Sequence, residues 1–539
     1  MWGIHFVKKV GFLGMACLAL AACDTGQGTA PSTEKVDTVI TGGLLYDGTG
    51  GKPYTANIAI KDGTIVYIGT ASDKSFDATT TIDATGLMVT PGFIDMHSHN
   101  TPEEDYAREG LPYIYQGITT TSLGLDGFGT PHIKKRYDSL KKTGFGPNLF
   151  SYVGHNTIRR TVMGDADRAP TDTELKQMKS LVKTGMDEGA FGLSSGLFYV
   201  PGSYSSTDEV VALASVAAPY GGIYDTHDRD LGAAYKGIGY LASIKEGIEI
   251  GERSGTRVIF SHFNAQGIQN YGRANEGAAL INEARARGVD VAGAQHVYNA
   301  TRSSLSAYAL PRWAAAGGYD AIMKRFEDPE IIKQLDVQTM EMLAIRGGAS
   351  KIKLVDPSPD INGLTLDIAA QNMGLSVQEA VRQLIREKKT AVMNLELYDD
   401  NNTRYLAKQS WMMTCTDGRP PHPDQASAHP RTYGAFTKKL YEYVIEDNMI
   451  SMAFAVRSMS GLAADFLGLE NRGYLKVGQA ADIAVFDRDK IKVKATYEAP
   501  KELSEGTVHV LVNGDFLLKD GAPTGALSGV AILRGGETY

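Results

Sequence analysis

Cysteine is scarce in this chain, with three in 539 residues: Cys17, Cys23 and Cys415. Two of them fall within the first 23 residues, so the remainder cannot carry a disulfide framework. Positive charge is also short. The net charge of −8 leaves no basic patch and argues against nucleic acid as a partner. No apolar run reaches the roughly 20 residues that a membrane-spanning helix needs. Phosphate-cradling loops are missing too. No Gly-x-x-x-x-Gly-Lys-Ser/Thr stretch occurs, and no Gly-x-Gly-x-x-Gly opens a helix after a strand, so nucleotide binding is unsupported.

What is present starts with a processing segment. Lys8 and Lys9 precede an apolar run, Val10 to Leu20, that ends in Leu20-Ala21-Ala22-Cys23. This is the layout of a signal peptide. Leu-Ala-Ala-Cys resembles the lipobox of bacterial lipoproteins. The resemblance implies a signal over 1–22, cleavage before Cys23 and lipid on its sulfur. It also implies an exported protein of the cell envelope or periplasm, touching the membrane through that lipid alone. Residues 23–35 are rich in Gly, Ser and Thr and read as a tether.

The rest divides into two patterns. Short alternating runs at both ends, TVITGGLLYDG and NIAIKDGTIVYIG early, ADIAVFD and VHVLVNGDFLLKDG late, carry Asp62-Gly63, Asn513-Gly514 and Asp520-Gly521 as hairpin turns. Residues 36–86 and 473–539 are therefore expected to form one small β-sandwich domain. Between them, over 87–472, eight runs read as strands: Leu87–His99, Thr119–Gly124, Asn148–His155, Phe191–Gly196, Gly222–His227, Arg257–His262, Val289–Val297 and Ser410–Asp417. Helical stretches separate several of them. In one, Thr171 and Glu174 make a capping box ahead of an apolar face of Leu175, Met178, Val182 and Met186. Alternation with eight strands is the pattern of an α/β fold, a TIM-like (β/α)8 barrel, although periodicity does not separate it from an open doubly wound sheet. Residues 298–409 form a largely helical insertion before the last strand, read as a lid or substrate-binding element.

Chemistry concentrates at the strand ends. His97 and His99 are two apart and share a strand face, so both can aim at one metal ion. Of only 11 histidines, His227 and His262 also close strands, and Asp417 closes the last. Side chains at the C-terminal ends of barrel strands face one mouth, which turns a weak His-x-His pair into a metal-site constellation. Cys415 reads as a small packed residue. No serine nucleophile is expected in SSGLFYVPG.

PGFIDMHSH on the first strand, the later single histidines and the strand-eight Asp resemble the amidohydrolase superfamily. GAFGLSSGLFYVPG, CTDG followed by HPRTYGAF, and GYLKVGQAADIAVFD resemble, within it, the N-acyl-D-amino-acid deacylases. The likeness spans nearly the whole chain after the tether. It implies that His97, His99, His227 and His262 bind metal, that Asp417 is the general base, and that one or two zinc ions are held. Where that family presents Gly-Asn-Cys-Gly, this chain has Gly124-Leu125-Asp126-Gly127, so Asp126 would replace a cysteine ligand with a harder oxygen donor. Arg431, Tyr298 and Ser304 match the family's substrate-binding positions. His296-Val297 stands where Tyr-Pro is usual, and Arg302 is an added charge. Phe191–Gly196 lacks the lysine of the hydantoinase-like branch. The implied activity is hydrolysis of N-acyl-amino acids, the small-molecule partners. A dipeptidase, a xenobiotic amidase and a non-catalytic ligand-binding lipoprotein stand as alternatives, and oligomeric state is unassigned.

Overall fold

The computed structural model describes residues 34–539 apart from 71–73, 356–357, 359, 390 and 426–427. The expected signal, Cys23 and the tether up to residue 33 lie outside the described residues.

All eight expected strands form. They are β1 (Phe93–Asp95), β2 (Ile118–Leu123), β3 (Asn148–Ser151 continuing as Val153–Gly154), β4 (Gly192–Gly196), β5 (Ile223–His227), β6 (Arg257–Phe260), β7 (Val291–Gln295) and β8 (Met412–Thr414). Each pairs in parallel with the next. The ring then closes. Met96 N donates to Thr414 O at 3.5 Å, and Asp417 N donates to His97 O at 2.8 Å. Closure decides between the two readings left open by periodicity. Helices such as Asp172–Asp187 cover the outside, and the Thr171–Glu174 capping box is formed. Met178, Val182 and Met186 are buried there against the strands.

Strands from the two chain ends do share a sheet. Glu34–Leu45 pairs with Met88–Pro91, which pairs in turn with Ile483–Phe486. The sandwich is one nine-stranded sheet curled on itself. Its far edge returns through Ile65 N to Gln479 O and Gly478 N to Ile65 O, both 2.8 Å. Ile40, Ile58, Val89, Ile483 and Val485 fill the curl. Positive φ at both residues of Asp62-Gly63, Asn513-Gly514 and Asp520-Gly521 gives the three hairpin turns their geometry.

Three boundaries differ from expectation. The run Leu87–His99 is two strands, because the chain leaves the small sheet at Pro91 and joins the barrel at Phe93. Gly92 makes that switch possible: a Cβ there would lie 2.2 Å from Thr119 Oγ1. The C-terminal tail leaves the small sheet and runs under the barrel, where Ile532 N donates to Leu149 O at 2.7 Å. Ile532, fully buried with Ile94, Phe150 and Ile259, plugs the bottom of the barrel. Finally, the insertion is not purely helical. Thr301–Ser304, Ala391–Asn394 and Ile352–Leu354 form an antiparallel sheet with its own core of Leu305, Leu335, Leu354 and Val392. No helix among the described residues is long and apolar enough to cross a membrane.

Candidate metal centre

Five histidine and aspartate positions from four strand ends meet at the C-terminal mouth of the barrel, with Asp417 from a fifth strand end as the sixth. His97 and His99 follow β1. Asp126 follows β2 in a loop bounded by glycines, His227 ends β5, His262 follows β6, and Asp417 follows β8. Gly127 is required beside Asp126, since its φ is +79° and a Cβ would meet Asn156 Oδ1 at 2.2 Å.

Asp126 is the hub. Its Oδ1 lies 3.4 Å from His97 Nε2, 3.4 Å from His227 Nδ1 and 3.8 Å from His262 Nε2, and its Oδ2 lies 3.4 Å from His99 Nε2. Asp417 Oδ1 stands 3.2 Å from His99 Nε2 and 3.8 Å from His97 Nε2. Donors at about 2.1 Å around a tetrahedral ion stand roughly 3.4 Å from one another. These spacings therefore fit such an ion. Two overlapping groups have metal-ligand spacing, His97–Asp126–His262 and His97–His99–Asp417. Both nitrogens of His97, Nδ1 of His262 and Oδ1 of Asp126 are buried with no hydrogen-bond partner among the described residues. Unsatisfied buried donors and acceptors cost about 1–3 kcal/mol each, and a bound cation would satisfy those facing the centre. One pair is too close for two ligands as drawn: His262 Nε2 and His227 Nδ1 share a hydrogen bond of 2.7 Å.

Electrostatics follow burial and charge. Burial pushes the Asp126 carboxyl up, but His227 and His97 more than offset it and hold it well below the usual range. Burial likewise opposes ionisation of Asp417, and Arg431, His262, His99 and His97 reverse it. Both carboxylates are therefore ionised. Burial drives His97 down to about 3, a neutral imidazole with lone pairs to offer. Asp126, His262 and Asp417 all have φ in the left-handed region, at +53°, +32° and +46°. Such strain, about 1–3 kcal/mol each, gathers at functional sites.

Above the centre lies a cavity of about 640 Å³, lined on one side by these groups and on the other by the insertion. Arg431 lies in it with Nη1 2.6 Å from Asp417 Oδ2 and 3.2 Å from His296 Nε2. Ser304 also lines it, while capping the helix Leu305–Ala309 through Ala307 N. Tyr298 corrects an expectation. It lies behind His429 and donates its hydroxyl to Ala495 O at 3.3 Å, outside the cavity lining.

Cys415 is fully buried among the barrel's interior side chains. Gly192–Gly196 carries Gly-x-Ser-x-Gly spacing, contrary to expectation. Yet Ser194 is buried within β4, bonded to Asp225 Oδ1 at 2.8 Å, rather than raised on a strand-to-helix turn. Sequence reasoning missed Tyr199, whose ring lies tilted 4.6 Å from the His227 ring, and Tyr308, Arg346 and Tyr398 from the insertion. His296 was visible only as a departure from pattern, and its burial beside Asp417 gives that departure a place.

Imidazole and carboxylate donors gathered at the mouth of a closed barrel mark a metal-dependent hydrolase. The profile described as "Amidohydrolase family" matches residues 146–517. D-aminoacylase of Alcaligenes xylosoxydans xylosoxydans is 31% identical over 525 residues, 93% of this chain and 98% of that protein. The solved N-acyl-D-glutamate deacylase of Bordetella bronchiseptica, complexed with zinc and a phosphonate mimic of the tetrahedral intermediate, matches at TM-score 0.78 with 28% identity, covering 93% of this chain and 100% of that one. A D-aminoacylase solved in a study of its binuclear metal centre matches at TM-score 0.78 with 28% identity, over 93% and 100%. The chain belongs to the amidohydrolase family, in its D-aminoacylase branch. It is a metal-dependent amide hydrolase.

Proposed function

We propose that this chain is a zinc enzyme that hydrolyses N-acyl-amino acids, of D configuration, to a carboxylic acid and a free amino acid. The observation that carries the reading is the convergence of His97, His99, Asp126, His227 and His262 on unsatisfied buried atoms. The D configuration and zinc come from the relatives' descriptions. These five residues would hold the metal, one ion or two: His97 belongs to both groups with ligand spacing, one with Asp126 and His262 and the other with His99 and Asp417.

Zinc, when bound, makes a water acidic enough to ionise near neutral pH and polarises the substrate carbonyl. Asp417, an ionised carboxylate at the cavity floor, takes the proton as water adds to the carbonyl carbon. It returns that proton to the departing nitrogen as the C–N bond breaks. Arg431 and Ser304 line the cavity and receive the substrate α-carboxylate. Arg431 keeps a buried Nε–H without a partner, a donor free for that contact. Metal-loaded protein assayed on N-acetyl-amino acids of both hands tests the reading. Turnover of D-substrates with zinc content near one or two per chain supports it. Metal present with no turnover of either hand would overturn it.

Lipid attachment at Cys23 and residence in the cell envelope belong to the same proposal. They rest on the Leu-Ala-Ala-Cys segment. Radiolabelled fatty acid should enter the wild type and not Cys23→Ser. Label in both, or in neither, would remove the anchor.

A further inference from the structure

The end of β7 gives nothing to the metal centre, yet it carries a buried histidine. His296 follows Val291–Gln295 and is only 1% exposed. The strand ladder fixes its place. Gln295 pairs with Thr414 of β8, and Cys415 N donates to Gln295 O at 3.1 Å, which sets His296 beside Asp417. The rings of Tyr398 and His429 pack near it at 5.6 and 6.0 Å. His296 is not among the residues that line the cavity. Any effect on a ligand must therefore pass through a neighbour.

That neighbour is Arg431. Its Nη1 lies 3.2 Å from His296 Nε2 and 2.6 Å from Asp417 Oδ2, so both hydrogens of that nitrogen have acceptors. A guanidinium only donates, which makes Nε2 the accepting nitrogen of the ring and Nδ1 the protonated one. Tyr298 N also stands 3.4 Å from Nδ1. A neutral imidazole accepts at one nitrogen, however, and the closer, charged donor makes the stronger bond. Burial, then the Arg431 charge, holds His296 well below its ordinary value, so the ring keeps its lone pair. Asp417 Oδ2 is 3.9 Å from His296 Nε2, beyond hydrogen-bonding range.

A second histidine grips the same arginine from the other end. His429, also buried, accepts from Arg431 N through Nδ1 at 3.1 Å and donates from Nε2 to Ala300 O at 3.0 Å. Arg431 is thereby held at its backbone and at one guanidinium nitrogen, while its Nε–H stays buried without a partner. An arginine held by one carboxylate alone can swing about that contact. A second acceptor on the same nitrogen stops the swing, and a fork fixed in advance costs less ordering when a ligand arrives.

We infer that His296 is a positioning residue: its Nε2 lone pair holds the Arg431 guanidinium in place beside Asp417, leaving the Nε edge to the substrate α-carboxylate. This rests on the reading of Arg431 as the carboxylate receptor of an N-acyl-amino-acid hydrolase.

The test compares zinc-loaded wild type with two variants. His296→Phe keeps a buried ring without an acceptor, and His296→Gln offers an amide oxygen in its place. Each is assayed on an N-acetyl-amino acid and on the matching carboxamide, with zinc content measured beside. In His296→Phe, KM for the carboxylate should rise by about 10–100-fold, the worth of a hydrogen bond to a charged group, while kcat and the carboxamide KM change little. His296→Gln should recover most of the loss. The double variant with Arg431→Gln should be no worse than Arg431→Gln alone, since His296 acts only through that side chain. Equal losses on carboxylate and carboxamide, or losses that add in the double variant, would overturn the inference. Crystal structures of both variants give a readout independent of turnover. The guanidinium should keep its place in His296→Gln and leave it in His296→Phe. An unmoved guanidinium in His296→Phe overturns the inference. A displaced one, in a protein that hydrolyses no N-acyl-amino acid, supports the contact and removes the reaction assigned to the enzyme.

Discussion

Asp126→Ala is the substitution that most directly tests the metal centre. The carboxylate it removes lies 3.4–3.8 Å from ring nitrogens of four histidines. No neighbouring side chain in the glycine-bounded loop can take its place. Altering a group that merely supports a ligand costs 10–100-fold in affinity, so removing a ligand itself should cost at least about 100-fold. The consequence for stability follows from mass action. Zinc at about 1,000 times its Kd stabilises the wild type by roughly 4.1 kcal/mol, and after a 100-fold loss the same zinc supplies roughly 1.4 kcal/mol. About 2.7 kcal/mol of metal-linked stability should vanish. The metal-free state changes too, because the histidines lose their counter-charge and Ala inherits a φ of +53°. The measurement must therefore be the difference between zinc-loaded and metal-free unfolding, taken separately for each protein. Asp126→Cys is the companion, since a thiolate should restore binding and favour softer metals. Unchanged metal stoichiometry and an unchanged zinc-dependent difference in Asp126→Ala would refute the role given to this carboxylate.

Three more predictions test other parts of the chain. Asp417→Asn keeps an acceptor for Arg431 and should lower kcat by about 10²–10⁴ while zinc stays bound, checked by steady-state kinetics beside metal analysis; full activity would exclude Asp417 as the proton carrier. Lys439 is 1% exposed, its ammonium bonded only to Thr414 Oγ1 and Ser458 Oγ at 2.9 and 2.8 Å. Burial lowers it from 10.5 to about 7, so the unfolded chain holds the extra proton between those values and stability rises with pH across that window. The penalty is full below pH ~7, with an upper bound of about 5 kcal/mol, and denaturant melts should show Lys439→Met to be the more stable protein there, converging with wild type near pH 10. Ile532→Ala should cost about 2–5 kcal/mol, because it empties the bottom of the barrel; a neutral result in the same melts would mean that the tail is dispensable.

The strand ends were legible because few histidines exist and their neighbours are apolar runs bounded by polar loops. His227 and His262 each close such a run, and a barrel brings all strand ends together whatever the loops do. Closure itself was not legible, since it depends on backbone bonds between β1 and β8 that leave no pattern in either segment. The partner switch at Pro91-Gly92 was hidden for a related reason: both halves of the run are fully buried, so apolar character continues across it. The insertion's strands, only three or four residues long, are too short to show alternation against helices. Tyr298 failed through direction. Its position near the site was right, but Ala495 O and the His429 ring hold its hydroxyl away from the cavity. Arg346 gave no signal, because an arginine at the end of a helix is an ordinary favourable cap for the dipole.

The left-handed residues of the site explain why so much buried polar bonding surrounds this centre. Asp126, His262 and Asp417 each turn the chain sharply where a strand ends, at a cost that must be met elsewhere. The opposing terms are visible across the strand seams. Asp95 accepts from His97 N at 3.2 Å, from Thr416 N at 2.9 Å and from Thr416 Oγ1 at 2.5 Å, clamping the first-strand histidines to the residue before Asp417. Asp225 accepts from Ser194 and Ser261 at 2.8 and 2.9 Å, tying β4 and the residue before His262 to β5. Ser98 N donates to Ser122 Oγ at 2.8 Å, binding the β1 end to β2. Each clamp joins the strand end of one ligand to that of another. The ligands are thus held by bonds that exist without the ion, and little conformational entropy remains to be lost when it binds. What the metal adds is charge for the unsatisfied atoms. That division of labour places strain in the backbone, order in the aspartate clamps, and chemistry in the imidazoles and carboxylates gathered between them.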